Sequence, residues 1–190
     1  TGSATVIVNP LPTSGFTVVT PSCETRITSF TDASVPNAGN ITSWQWNFGD
    51  PASGPLNTST LQNPTHIFST AGTYTVSLVV TTDKGCVSTT PPQQVVINAR
   101  PLAGFILPEV CLSDTYAQFT DTSSVDAPDF IQAWNWNFGD PGSGPLNTST
   151  LQNPQHSYTA TGSYNVQLIA TSNNGCRDTV TQVLFINGSF

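Results

Sequence analysis

The chain repeats itself once, and this internal repeat restricts its fold more than any other feature of the sequence. Residues 47–66 read NFGDPASGPLNTSTLQNPTH and residues 137–156 read NFGDPGSGPLNTSTLQNPQH, so that two of twenty positions differ. The register continues outside this block, because Trp44 and Trp134, like Cys86 and Cys176, are separated by 90 positions. A 190-residue chain with such a repeat is predicted to fold as two homologous domains.

The ends of the repeats predict where the domains begin. The tripeptides IVN, VIN and FIN end at residues 9, 98 and 187, which are 89 residues apart. The ending of each copy therefore also precedes the first copy. We predict a first domain at residues 10–99 and a second at residues 100–190, with residues 1–9 as the closing strand or linker of a preceding repeat.

Both copies have the two-residue periodicity of β-strands. Trp44, Trp46 and Phe48 alternate with polar residues, which places three aromatic side chains on one face of a strand. Apolar residues alternate in the same way from Tyr74 to Val80. Several short strands separated by turns in about 90 residues predict an all-β fold in which each copy is a two-sheet β-sandwich.

The charge balance excludes several kinds of partner. The chain has four Lys and Arg residues in total and a net charge of -7, so that it cannot present the basic patch that phosphate backbones require. No apolar run reaches the roughly 18 residues that a membrane span needs. The sequence therefore predicts neither nucleic acid as a partner nor insertion into a membrane.

Four cysteines occur, one early and one late in each copy. Their wide spacing differs from the close pairs of zinc sites. The repeated spacing predicts that Cys23 bonds Cys86 and that Cys111 bonds Cys176, which closes loops of 63 and 65 residues. In the chain-entropy model such a loop stabilises a small domain by about 4 kcal/mol. Disulfides predict an oxidising, extracytoplasmic location.

Three motifs, each present twice in the same order, resemble the PKD repeat. In the first copy they are WQWNFGD at residues 44–50, NPTH at residues 63–66 and AGTYTVSL at residues 71–78. The resemblance covers about residues 11–98 and 100–188. It implies immunoglobulin-like β-sandwiches of the kind found in cell-surface and exported proteins, usually outside a catalytic domain. One departure is that Pro51 and Pro141 follow the aspartate where the family commonly has glycine, which predicts a longer loop.

The histidines are candidate acids or bases, but no catalytic set can be assembled around them. His66 and His156 occupy matching positions directly after Asn-Pro. No nucleophile elbow, phosphate-binding loop or metalloprotease motif accompanies them. We therefore predict that they stabilise a turn entering a strand and that the chain is not an enzyme.

The aspartates are candidate calcium ligands. Asp50 and Asp140, together with Asp32 and Asp121, have the oxygen atoms that Ca²⁺ prefers. Because no dense run of acidic ligands is present, we interpret Asp50 and Asp140 as Asx-turn residues that accept backbone N–H groups. The sequence predicts no metal and no cofactor.

The loops at residues 51–65 and 141–155 are nearly identical, which has two explanations. They are either a repeated contact surface for a glycan or a protein, or the result of recent duplication and turn geometry. The tryptophans alternate with polar residues and are interpreted as core rather than as a sugar-stacking surface.

These observations predict a non-catalytic extracellular repeat module that acts as a structural spacer or adhesive array in a larger surface protein. The alternative is an accessory carbohydrate- or protein-binding module of a secreted multidomain hydrolase. The predicted partners are the neighbouring repeats of the same chain, with a glycan or a surface protein as a further candidate. The predicted state is a monomer, located outside the cell or on a bacterial cell surface.

Overall fold

The computed structural model describes residues 7–188 and divides into two compact units, Thr1–Asn98 and Ala99–Phe190. Each unit is built almost entirely from antiparallel strands, which confirms the predicted all-β class. Within residues 7–188, no helix has both the length and the apolar character needed to cross a membrane.

The first unit places its strands in two sheets. The strands are β1 (Phe16–Val18), β2 (Ile27–Asp32), β3 (Ile41–Asn47), β4 (Thr58–Ser59), β5 (Thr65–Ile67), β6 (Gly72–Thr82), β7 (Val87–Thr89) and β8 (Gln93–Ile97). One sheet has the order β1-β2-β5, and the other has the order β4-β3-β6-β7, with β8 also paired to β6. A short 3-10 helix (Pro51–Asn57) connects β3 to β4.

The second unit repeats this arrangement with two differences. Its strands are β9 (Phe105–Ile106), β10 (Ala117–Gln118), β11 (Thr120–Asp121), β12 (Ile131–Asn137), β13 (Thr148–Ser149), β14 (Gln155–His156), β15 (Gly162–Ser172) and β16 (Arg177–Ile186). The main sheet has the order β13-β12-β15-β16. The first difference is that two short strands, β10 and β11, replace the single strand β2, so that β10-β14 and β11-β9 are separate two-stranded sheets. A 3-10 helix (Pro141–Asn147) precedes β13.

The second difference lies in the last strand, which is continuous in β16 but divided into β7 and β8 in the first unit. Pro91 and Pro92 separate β7 from β8, whereas the single residue Thr181 occupies the matching place in β16. Proline has no N–H to donate to the strand ladder, so the two prolines interrupt the pairing with β6.

Each unit has its own hydrophobic core between its sheets. Trp46 and Phe48 are 2 % and 1 % exposed, and Trp44 packs half-buried against the same core. Val76, Leu78 and Val80 of β6 are fully buried beside them in the same sheet. These burials confirm that the predicted aromatic and aliphatic faces form the core.

The chain enters each unit at one end of the sandwich and leaves at the other. In the first unit the Asn9 carbonyl oxygen lies 4.0 Å from the Sγ atom of Cys86, just beyond the last residue of β6. At the other end, Ile97 pairs with Gly72, the first residue of β6. We call these ends the N-terminal pole and the C-terminal pole. The eleven residues of β6 separate them by roughly 33 Å.

The predicted disulfides, Cys23 with Cys86 and Cys111 with Cys176, are wrong. Cys86 and Cys111 are free thiols. Cys23 and Cys176 are disulfide-bonded. The prediction that the chain contains a disulfide is therefore confirmed, whereas the pairing within each repeat is not.

The poles explain why the predicted pairs do not form. Cys23 forms a β-bridge with Asn98 at the C-terminal pole, whereas Cys86 lies at the N-terminal pole. In the second unit Cys111 forms the matching bridge with Asn187, at the opposite end of the unit from Cys176. Cα atoms joined by a disulfide lie within about 7 Å, which is far less than the length of the sandwich.

The prediction for residues 1–9 falls mostly on residues 1–6, which lie outside the described residues. Ile7 and Val8 belong to no strand and are 79 % and 85 % exposed. Their assignment to a preceding repeat stays a prediction.

Candidate functional site

Each histidine is buried and paired with an aspartate. The Nε2 atom of His66, in β5, lies 3.0 Å from Oδ2 of Asp50, and the two side chains are 3 % and 4 % exposed. His156 and Asp140 form the same pair at 3.1 Å. The sequence singled out all four residues but did not bring them together, because 16 positions separate the members of each pair.

Two aromatic rings pack against the histidine of this pair. The ring of His66 stacks on Phe48 with a centroid separation of 4.4 Å and meets Phe68 edge-on at 4.5 Å. A general base must come within hydrogen-bond distance of the proton that it abstracts. The pair is enclosed, so its chemical role is to connect the turn after β3 to β5 through a satisfied buried interaction.

The Asx-turn prediction for Asp50 is wrong, and the residue that forms this turn is Asn47. Its Oδ1 atom accepts the backbone N–H of Gly49 at 2.8 Å, and Asn137 accepts that of Gly139 at 2.9 Å. The N-F-G spacing contains this signal, since an Asx side chain bonds the N–H two residues on. The carboxylate of Asp50 is then available to His66.

Asp32 does have an Asx turn, because its Oδ1 atom accepts the N–H of Ser34 at 3.0 Å. Its Oδ2 atom accepts the indole N–H of Trp44 at 2.7 Å. The sequence suggested that Asp32 and Asp50 could bind calcium together. In the structure the carboxylate of Asp32 bonds Trp44, whereas that of Asp50 bonds His66. Within residues 7–188 no three His, Cys, Asp or Glu side chains are grouped so as to hold a metal ion.

The loop between β3 and β5 is held by its own polar side chains. Asn57 accepts the N–H of Asp50 at 2.7 Å, and the hydroxyl of Ser53 donates to the Asp50 carbonyl at 2.7 Å. The indole N–H of Trp46 donates to the carbonyl of Leu61 at 2.8 Å. The same bonds occur in the second repeat. Turn geometry therefore accounts for the identity of these polar residues.

Turn geometry does not account for the leucines of this loop. Leu56 and Leu61 are 72 % and 65 % exposed, and their counterparts Leu146 and Leu151 are 73 % and 66 % exposed. Single exposed apolar residues are common on protein surfaces. Here the same two are retained in both repeats.

A shallow uncharged cleft lies beside this loop in both repeats. Its volume is about 490 Å³ in the first repeat and about 640 Å³ in the second. The lining of the first cleft is made of amide, hydroxyl and apolar groups with no charged side chain: Gln45, Trp46, Asn47, Thr58, Ser59, Thr60, Ser77 and Val79. Because Trp46 is 2 % exposed, no aromatic face is available there for stacking.

The two repeats differ at the edge of the histidine pair, where Tyr158 replaces Phe68. The Tyr158 hydroxyl donates to the carbonyl of Phe138 at 3.0 Å. Burial, and next the Asp140 carboxylate, raise the pKa of Tyr158 far above its ordinary value. The hydroxyl therefore stays protonated and continues to donate this bond.

A second buried carboxylate, at the N-terminal pole of the second repeat, was missed by sequence reasoning. Asp178 accepts the N–H of Ala103 at 3.0 Å and pairs with the Arg100 guanidinium. Burial raises the pKa of this carboxyl, but the N–H groups of Ala103 and Thr179 and the charge of Arg100 outweigh it and hold the pKa below its ordinary value. The first repeat has Ser88 at the matching position, so no repeated motif identified the pair.

Replacing Asp178 with asparagine is expected to destabilise the second repeat by about 1–2 kcal/mol at neutral pH, since Arg100 is partly solvated. Because the folded pKa is lowered, the carboxylate stabilises the fold above the unfolded pKa of about 3.9. This contribution is lost as the pH falls through the folded pKa. Denaturant titrations of wild type and Asp178→Asn should therefore converge as the pH falls through the folded pKa.

The control for this prediction is Ser88→Ala, which removes the hydroxyl that lies 3.2 Å from Ser14 Oγ and removes no ionisable group. Its effect on the first repeat should be the same at neutral and acidic pH. An Asp178→Asn effect that persists at low pH would contradict the ionic origin of the stabilisation.

One protein-family model matches the chain twice, once in each repeat. A family model described as a PKD domain matches residues 9–97 and again residues 98–186. The PKD1 domain of the Vibrio cholerae metalloprotease PrtV is 34 % identical, with a TM-score of 0.39, over 46 % of this chain and 98 % of that domain. The PKD1 domain of Vibrio anguillarum Epp is 32 % identical, with a TM-score of 0.39, over 47 % of this chain and 99 % of that domain.

A curated relative is matched over a short segment. Collagenase ColA of Bacillus cereus is 43 % identical over 54 residues, which is 28 % of this chain and 5 % of the collagenase. The matched segment is thus a small part of that relative.

Proposed function

The chain belongs to the PKD domain family, matched over both repeats, and from this membership we propose that it is a non-catalytic spacer in a larger extracellular protein. In this function each repeat adds its own length between the segments on either side of it. The two histidines and their aspartates then serve stability and not chemistry.

The observation that carries the proposal is the separation of the poles. The chain enters the first repeat beside Cys86 and leaves it after Ile97, next to the first residue of β6. One repeat therefore advances the chain by roughly 33 Å, the length of an eleven-residue strand. A domain whose ends lay side by side would not extend the chain.

The residue chemistry supports the non-catalytic part of the proposal. The His66–Asp50 pair is enclosed by Phe48 and Phe68 in the core. The cleft beside the loop has no charged lining residue. Its serine and threonine hydroxyls have no acidic or basic side chain beside them in that lining to activate them as nucleophiles.

The disulfide-bonded state of Cys23 and Cys176 supports an extracellular or cell-surface location. Disulfides persist where the surroundings are oxidising and are rare in cytosolic proteins. The exported location of the spacer rests on this chemistry and on the family.

One observation favours a second candidate function, an accessory module that binds a glycan or a protein. Leu56 and Leu61 are exposed next to an amide- and hydroxyl-lined cleft, and both features are duplicated. Uncharged hydrogen-bonding groups fit a neutral ligand. Collagen is a protein candidate, because a collagenase is among the relatives.

The experiment that separates the two functions is an NMR titration of the ¹⁵N-labelled chain with neutral oligosaccharides and with a triple-helical collagen peptide. For a spacer we expect no saturable shift up to about 1 mM ligand, which corresponds to a binding free energy weaker than about -4 kcal/mol. Saturable shifts in β4 and β13 would instead favour the binding module. The control is Leu56→Ala with Leu146→Ala, which should abolish such shifts if the loops bind.

Stretching single molecules from their two ends under reducing conditions tests the spacer directly. Each repeat should unfold in one event and release roughly 300 Å of chain. Gradual extension without two separate events would contradict a spacer built from independently stable repeats. Robust hydrolysis of a glycan, peptide or ester panel that is lost in His66→Ala with His156→Ala would refute the non-catalytic assignment.

A further inference from the structure

A second cleft adjoins the loop of residues 141–155 in the second repeat. Its volume is about 390 Å³, within the range of roughly 300–1,000 Å³ that is usual for small-molecule sites. Thr148 and Ser149 of β13 line this cleft as well as the cleft described above, so that the two clefts adjoin at β13. The side chain of Tyr116 also lines it and is 46 % exposed. We call it the Tyr116 cleft.

The Tyr116 cleft combines an aromatic ring with uncharged groups that donate and accept hydrogen bonds. The Oγ atom of Ser149 accepts the N–H of Leu151 at 3.2 Å, which leaves its hydroxyl hydrogen able to donate. The Nε2 atom of Gln155 donates to Oε1 of Gln118 at 2.9 Å, which leaves the Oε1 atom of Gln155 able to accept. A ligand beside the tyrosine ring therefore finds both kinds of partner.

Two buried side chains form the floor of the Tyr116 cleft. Phe138 is 1 % exposed, and His156 is 5 % exposed and already paired with Asp140. The residues that line the cleft include no aspartate, glutamate, lysine or arginine. A charged ligand would lose hydration without gaining a counter-ion, so the lining favours a neutral ligand.

A neutral pyranose sugar has the chemistry that this cleft can recognise. The C–H groups on one face of the sugar ring carry small positive partial charges and fit the electron-rich face of a tyrosine ring. Each sugar hydroxyl both donates and accepts, as the lining groups do. A nucleotide also stacks on aromatic rings, but its phosphate would find no cation in the lining.

The first repeat lacks the aromatic ring at the matching position. Ile27 and Ile67 form a cross-strand pair there, one position before the pair that contains His66. In the second repeat Tyr116 and Ser157 take these places, next to the pair that contains His156. Both isoleucines are exposed, so the repeats share an exposed pair and differ in its chemistry.

We propose that the Tyr116 cleft binds one unit of a neutral, pyranose-containing glycan, with the sugar ring stacked on Tyr116 and its hydroxyls bonded to Ser149 and Gln155. The inference goes beyond the spacer function, which the repeat fulfils whether or not a sugar occupies the cleft. It also differs from the second candidate function, because the site is formed in one repeat and not in both.

The expected affinity is low, because one sugar unit makes few contacts. A hexose has roughly a dozen non-hydrogen atoms, which at ordinary ligand efficiency gives a dissociation constant of about 1–10 mM. Binding in this range is not saturated at the ligand concentration of about 1 mM that tests the spacer function. The sugar site and the spacer function are therefore compatible.

The test is an NMR titration of the ¹⁵N-labelled chain with the methyl glycosides of glucose, galactose and N-acetylglucosamine, each up to about 50 mM. At least one glycoside should cause saturable shifts at residues 115–117 and 155–157, and none at the matching residues 26–28 and 65–67. Sorbitol, which has the hydroxyls but no ring face, should cause no saturable shift. Failure of every glycoside, equal shifts in both repeats or equal shifts with sorbitol would overturn the proposal.

Matched variants assign the binding to the tyrosine ring. Tyr116→Leu retains an apolar side chain and should weaken binding by about three- to tenfold, whereas Tyr116→Phe retains the ring and should bind as wild type does. Ile27→Leu is the control in the first repeat and should not change binding. Because Tyr116 is 46 % exposed, its two variants should keep the thermal unfolding midpoint of wild type. Undiminished binding by folded Tyr116→Leu would overturn the stacked arrangement.

The outcome is separate from the test of the proposed function. No saturation with any glycoside, together with two unfolding events under force, would remove the sugar site and leave the spacer function standing. Saturable shifts around Tyr116, together with gradual extension under force, would retain the sugar site and remove the spacer function.

Discussion

Replacing Trp46 with alanine is expected to destabilise the first repeat by about 3–5 kcal/mol. The side chain is 2 % exposed and packs against Phe16, Phe30 and Phe48. Its indole N–H also donates to the carbonyl of Leu61, so the substitution releases the loop as well as opening a cavity. A domain of about 90 residues has a stability of roughly 5–13 kcal/mol, and this loss is a large part of it.

The second repeat should not be affected, because its core draws on its own residues. Chemical denaturation followed by circular dichroism and by amide exchange should show one transition shifted and one unchanged. Trp136→Ala is the matched variant and should shift the other transition. Equal shifts of both transitions in either variant would contradict two independent cores.

Replacing Gly49 with alanine is expected to destabilise the first repeat by about 2–6 kcal/mol, the sum of backbone strain and overpacking. Gly49 has φ +70°, in the left-handed region that favours glycine. A Cβ atom there would lie 2.4 Å from the carbonyl oxygen of Thr75, which belongs to the central strand β6. Relief of this contact requires a shift of β3 relative to β6.

Gly85→Ala is the control that separates strain from overpacking. Gly85 has φ +75°, but a Cβ atom there would meet no heavy atom within 4 Å. Its substitution should therefore cost about 1–2 kcal/mol, from the backbone alone. Thermal denaturation of the two variants should place Gly49→Ala clearly below Gly85→Ala. Equal destabilisation by the two substitutions would contradict the prediction, because it would show that the alanine side chain at position 49 is accommodated near Thr75 without loss of packing.

The close approach gives a physical reason for the glycine of the Phe-Gly-Asp motif. Gly139 repeats the geometry, with a Cβ position 2.6 Å from the carbonyl oxygen of Asn165. The glycine lets the turn after β3 lie against the backbone of the neighbouring strand. The following aspartate is thereby directed towards its histidine.

The sequence predicted which residues belong to the candidate site but not that the histidine and the aspartate form a pair. His66 and Asp50 were each identified from the sequence, and each was given a local role in a turn. Their pairing depends on β5 passing beside the turn after β3, which is a contact between the two sheets of the sandwich. Local spacing contains no information about such a contact.

The Arg100–Asp178 pair shows the same limit more strongly. The two residues are 78 positions apart and meet because the first residues of the second repeat pass beside the start of β16. The first repeat has no such pair, so self-comparison did not indicate it. Repetition in a sequence identifies what two domains share and gives no signal for what one of them has alone.

The sequence by itself determined the two repeats, the all-β class, the family and the strand faces that form the core. These follow from self-similarity and from a two-residue periodicity, which depend on neighbours along the chain. Tertiary structure decided which cysteines are bonded and which carboxylate meets which histidine. The spacing placed one early and one late cysteine in each repeat, but the length of β6 holds them at opposite poles. Such distances arise from how the strands stack, because a residue's position along the chain does not specify the end of the sandwich at which it lies.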